Sequence, residues 1–147
     1  KAKILGVRCS YGVMENLLIS GDLGYEFESK LIAFGLAAQY ALNPVIGADL
    51  PVDLAVRLAY GVLDFKFKDL GMIEFLVVIS KKIEQVEGLD VYGAIGLVKA
   101  LASGAKTELM ATIGVTYALP VDKLSMFAEF TYVKDANSIG IGAIYAF

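Results

Sequence analysis

Hydrophobic and small or polar residues alternate along nearly the whole chain. Leu5, Val7, Cys9, Tyr11 and Val13 share one parity, and Gly6, Arg8, Ser10 and Gly12 the other. The same two-residue period recurs from Ile19 to Phe27, Ile32 to Leu42, Val52 to Gly61, Leu89 to Leu97, Glu108 to Leu119, Ser125 to Tyr132 and Ile139 to Phe147. Between Ile73 and Ser80 the pattern is blurred by Leu76 and Val78, and Leu63–Lys68 beside it is ambiguous. A period of two is the signature of an extended strand with unlike faces, so the chain predicts an all-β protein of nine segments. Turn signals separate them: Glu15-Asn16, Glu28-Ser29-Lys30, Asn43-Pro44 through Pro51, Asp69-Leu70-Gly71, Glu87-Gly88, Ser103-Gly104, Pro120 through Lys123, and Lys134 to Asn137. No linker or shift of composition divides residues 1–147, which read as a single domain.

The bulky face carries Leu, Val, Ile, Phe and Tyr, whereas the other is dominated by Gly and Ala with scattered charges. A soluble sandwich would show Lys, Glu and Thr on its wet face. A Gly/Ala face suits the cramped inside of a small closed barrel. The bulky face then points outward, where only hydrocarbon covers it, and closure satisfies the backbone without an exposed edge. Segments of about 10 residues match tilted membrane-crossing strands. The expected fold is a closed antiparallel transmembrane β-barrel. Nine segments conflict with the even strand number usual for such barrels. Eight strands are therefore expected, with Ile73–Ile79 the segment most open to question. Ten, with one strand missing before Lys1, is the second choice.

Composition agrees. Hydrophobic residues make up 57% of 147 residues and charged ones only 20%. The longest uncharged run, Leu31–Ala48, contains Gln39 and Asn43-Pro44 and is a poor helical span. A net charge of −3 leaves no basic footprint for nucleic acid. The N-terminal residues do not read as a signal peptide. Cys9, the one cysteine, falls on the apolar face as a small hydrophobic residue.

Tyr11, Tyr25, Tyr40, Tyr60, Tyr117, Tyr132 and Tyr145 all share the bulky face, each toward the C-terminal end of its segment. Antiparallel strands end on alternate sides, so these residues predict two aromatic belts at the two membrane interfaces. The final stretch, Ile139-x-Ile141-x-Ala143-x-Tyr145-x-Phe147, resembles the C-terminal signature of bacterial outer-membrane β-barrels. The size is similar to that of the eight-stranded barrels of the outer membrane protein A and X type. The resemblance implies a bacterial outer-membrane location, a periplasmic C-terminus, and recognition of Tyr145 and Phe147 by the barrel-assembly machinery. Membrane lipid is the other expected partner.

Arg8, Asp22, Arg57 and Glu129 fall on the slender face near mid-strand. Confined together they predict a lumen salt-bridge network, since unpaired charges there are strongly disfavoured. Asp53, Glu74, Asp90 and Glu108 share that face near strand ends and predict an acidic pore mouth. Lys81-Lys82 reads as a turn charge pair close to lipid headgroups. With no histidine, Ser10, Ser20, Ser80 and Ser125 lack a partner base, and Asp22 with Glu26 is better read as lumen charge than as an acid–base pair. Catalysis, a metal and a cofactor are not expected. The expected role is a structural scaffold or narrow pore with a largely filled lumen. The alternatives are an open channel for ions or small solutes, or a soluble β-barrel that binds a hydrophobic ligand.

Overall fold

The computed structural model describes residues 2–47, 49–65, 68–134 and 136–147, without the side chains of 63–69. Nine strands form one closed barrel in chain order. They are β1 (Ala2–Met14), β2 (Leu17–Glu26), β3 (Leu31–Ala41), β4 (Asp53–Phe65), β5 (Lys68–Lys82), β6 (Leu89–Ala100), β7 (Thr107–Ala118), β8 (Leu124–Val133) and β9 (Ala136–Ala146). A short helix, α1 (Asn43–Ile46), sits in the β3–β4 connection. None of the described helices is long and apolar enough to cross a membrane.

Eight neighbouring pairs are antiparallel, and β1 closes on β9 in parallel, from Ala2 beside Ser138 to Ser10 beside Ala146. The barrel is therefore mixed and has neither eight strands nor ten. All nine segments with a period of two are strands, including the blurred one. The parallel seam reconciles an odd count with full closure, because β9 runs in the same direction as β1. The start of β1 and the end of β9 consequently lie at opposite mouths. Asp69-Leu70-Gly71 is not a turn: β5 begins at Lys68 and pairs with β4 in continuous register. The turn expected over Lys134 to Asn137 is shorter: Ala136 and Asn137 already pair with Val133 and Tyr132 in β9, and Asp135 lies outside the described residues. Gly88 and Gly104 take the left-handed backbone that glycine favours, with φ of 81° and 80°. The Glu26 carboxylate accepts the backbone N–H groups of Glu28 and Ser29 at 2.9 and 2.6 Å, which fixes the tight β2–β3 turn. The Asn43 side chain spans the β3–β4 connection, donating to the Val52 carbonyl and accepting from the Leu54 N–H.

The bulky residues point outward. Leu36, Leu58 and Ile113 are 64%, 56% and 67% exposed, values foreign to an aqueous surface patch of this extent. Gly6, Arg8 and Ser10 on β1, and their counterparts round the wall, face the lumen. The inner face is less slender than its sequence suggests. Ala55, Leu76 and Val78 form a small core cluster, with Ala94 and Met110 against it. Phe127 is also buried inside.

Closure itself depends on a bare backbone. Gly142 of β9 lies opposite Gly6 of β1. A Cβ on Gly142 would collide with the Gly6 carbonyl and the Phe127 ring, whereas one on Gly61 would meet nothing nearer than an ordinary contact at 3.6 Å. Gly142→Ala is expected to cost about 1–3 kcal/mol and Gly61→Ala close to nothing. Urea unfolding in detergent micelles, followed by the heat-dependent shift in gel mobility, measures both.

Candidate functional site: a charged lumen open at one mouth

Arg8 and Asp22 are direct cross-strand partners on β1 and β2. The Arg8 guanidinium donates twice to the carboxylate, Nε to Oδ1 at 2.6 Å and Nη2 to Oδ2 at 3.3 Å. Arg57, from β4, reaches the same carboxylate through Nη2 at 3.3 Å. Asp22 is thus the hub between two cations. Their side chains are only 19%, 29% and 15% exposed for Arg8, Asp22 and Arg57. The Arg8 guanidinium also stands 5.3 Å from the centre of the Phe127 ring, within cation–π range.

Of the four residues expected in the network, three meet. Glu129 makes no ion pair with them. Its carboxylate instead accepts the Tyr92 hydroxyl at 2.8 Å. Tyr92 is the one tyrosine whose parity puts it on the slender face, a signal that marked it out from the other seven. Its ring reaches β8 only because Gly114, on the strand between, has no Cβ to collide with it. Thr112 and Thr131 share a hydrogen bond at 3.0 Å nearby. Phe127, Thr112 and Thr131 were not singled out by sequence, since nothing in a strand's own alternation says which cross-barrel neighbours it will meet.

The expected acidic mouth divides. Asp53 opens β4 and Asp90 lies near the start of β6, so both stand at the mouth where β9 ends. Glu108, the second residue of β7, lies at the opposite mouth. Glu74 is not a rim residue. With β5 starting at Lys68, it lies well inside the strand and faces the cavity near Arg57. Lys81 and Lys82, at the end of β5, join Asp53 and Asp90, so this mouth carries both signs of charge.

A cavity of about 420 Å³ runs from this mouth to the charged layer, lined by the apolar Leu76, Val78, Ala94 and Met110 and by the charged Arg8, Arg57, Glu74 and Glu129. Toward the far mouth Ile4, Leu31, Met72, Val98, Met110 and Val133 project inside, together with the carboxylates of Glu26 and Glu108.

Outside, all seven expected belt tyrosines are exposed. Tyr11, Tyr40, Tyr117 and Tyr145 sit toward the mouth where β9 ends, and Tyr25, Tyr60 and Tyr132 toward the other. Tyr60 lies deeper than expected, because β4 continues to Phe65. Tyr40 is tied to the β1–β2 turn by the Asn16 amide at 2.7 Å. Phe147 stacks edge-on with Tyr145 at 4.9 Å, and its N–H bonds to the Ser10 carbonyl at 2.9 Å. Cys9 faces outward and is free.

No protein-family profile matches the chain, and no curated protein sequence does either. Among solved structures, the chain is similar to OmpT, an outer membrane protein of Vibrio cholerae in its trimer form. The identity is 13% and the TM-score 0.37, over 83% of this chain and 42% of that one. A chain from work on the in-meso crystallization of membrane proteins is 11% identical with a TM-score of 0.41, over 97% of this chain and 80% of that one. This chain spans less than half the length of the Vibrio protein. Both likenesses are faint, and what the barrel does has to be read from its own residues.

Removing the hub should hurt more than removing a spoke. Asp22→Ala leaves two guanidinium groups unpaired and is expected to cost about 3 kcal/mol, the low end for a broken buried pair because water reaches the cavity. Arg57→Met keeps the Arg8–Asp22 pair and is expected to cost roughly 1 kcal/mol. Parallel urea titrations of the two variants check the order, and a larger loss for Arg57→Met would contradict it.

Proposed function

We propose that the chain is an integral β-barrel of a bacterial outer membrane, a non-enzymatic scaffold whose lumen is closed to through-passage. The carrying observation is the inside-out wall: aliphatic and aromatic side chains cover the outside, and charges, glycines and alanines line the inside. Hydrocarbon is the solvent that such a wall fits, and a closed barrel meets its demand that every backbone group be bonded. A soluble carrier of an apolar ligand would need the reverse arrangement. The two tyrosine groups are the expected interfacial belts, and Tyr145 with Phe147 the end read by the assembly machinery. Orientation with the C-terminus in the periplasm would open the charged cavity to that side.

Two features support closure rather than conduction. The Asp22 hub pulls Arg8 and Arg57 together on the inside, and beyond it Ile4, Leu31, Met72, Val98 and Val133 put an apolar layer inside, where the Glu26 carboxylate is taken up by the β2–β3 turn. A pore needs a continuous wet path, which an apolar constriction of this kind interrupts.

Refolded protein in planar lipid bilayers is expected to give no stepwise current, while floating with liposomes and resisting extraction by alkaline carbonate. Current steps from the unaltered chain would select the channel reading. Failure to float would remove the membrane assignment altogether.

A further inference from the structure

The one-ended cavity holds two opposite charges that do not use each other. Arg57 spends a single Nη2–H on Asp22, at 3.3 Å, and its other donors have no partner among the described residues. Glu74 accepts no hydrogen bond and joins no ion pair among the described residues. The two stand on adjacent strands. Arg57 lies directly opposite Leu76, and Glu74 is two residues along β5 from that leucine. The pair is thus diagonal across the β4–β5 ladder, a separation of about 7–8 Å between backbones. Leu76, 4% exposed, is the neighbour of both and continues into the apolar lining of Val78, Ala94 and Met110.

We propose that this cavity binds a small aliphatic zwitterion, an α-amino acid of about leucine's size. The ligand carboxylate takes the open side of the Arg57 guanidinium, whose planar fork suits it. The ligand ammonium takes the Glu74 carboxylate, and its side chain lies on the Leu76–Met110 wall. A cavity of about 420 Å³ falls in the range of small-molecule sites. The charges around it select this class over simpler ones. An anion held at Arg57 would sit close to the Glu74 carboxylate, and a cation reaching the deeper Glu74 must pass Arg57. A purely apolar guest would strip water from Glu74 and from the open side of Arg57 with nothing in return. A molecule with both charges and no net charge meets none of these penalties. The mouth is balanced in the same sense, with Asp53 and Asp90 against Lys81 and Lys82.

This inference goes beyond the scaffold reading, which stands or falls on flotation and conductance instead. Its test is calorimetric titration of the full chain in lipid nanodiscs with leucine, with isocaproate (no ammonium) and with isoamylamine (no carboxylate). Saturable binding of leucine is expected, with each single-charge analogue at least about tenfold weaker, which corresponds to about 1.4 kcal/mol. Glu74→Gln and Arg57→Met should each weaken leucine binding by about tenfold or more. Glu74→Gln is nearly isosteric and keeps the barrel, as heat-shifted gel mobility verifies, so the test survives if Arg57→Met does not fold. No saturable heat from leucine, analogues that bind as well as leucine, or unchanged affinity in Glu74→Gln would each overturn the proposal.

Discussion

The whole wall depends on one seam. Eight antiparallel pairings would leave a curled sheet with two raw edges, each a row of unbonded N–H and C=O groups. Pairing β1 with β9 removes both edges at once, over nine residue pairs from Ala2 beside Ser138 to Ser10 beside Ala146. Evenly spaced, slanted parallel bonds are slightly weaker than antiparallel ones. At Gly6 and Gly142 neither strand of the seam carries a side chain, and the Phe127 ring lies against both. With that closure in place, outward and inward faces are fixed for every residue of the barrel.

The inner glycines acquire their meaning from what lies beside them. Gly35 is the neighbour of Asp22, and Gly114 and Gly140 flank Glu129. Each gives a polar side chain room to lie flat along the wall instead of jutting into the centre. The lumen can then hold two arginines, three acids and a tyrosine and still keep a cavity. A ring of alanines at these positions would leave less space for the same charges.

Much of this was legible in the chain alone. The period of two located all nine strands, and parity assigned Leu5, Leu58 and Ile113 outward and Arg8, Asp22 and Arg57 inward. What remained hidden was relational. Alternation within a strand says nothing of the direction of its neighbour, so the parallel seam was invisible, and the usual even count argued against a strand that was there. The β5 segment looked doubtful because Leu76 and Val78 put bulk on both faces. That bulk is the apolar wall of the cavity, a local need of the interior. Glu74 was assigned to a rim because β5 was read too short by its first residues. Glu129 was placed with the arginines by charge, whereas Tyr92 reaches it first across Gly114.

An odd number of strands also breaks the symmetry of the ends. In an up-and-down barrel with an even count, a polypeptide enters and leaves on the same side. Here, whatever is joined ahead of Ala2 emerges on one face of the barrel and whatever is joined behind Ala146 on the other. The fold is therefore a transverse link: two tethered cargoes, one at each end, would be held on opposite sides of whatever sheet the barrel sits in, and no short loop could join the ends to make a circular permutant.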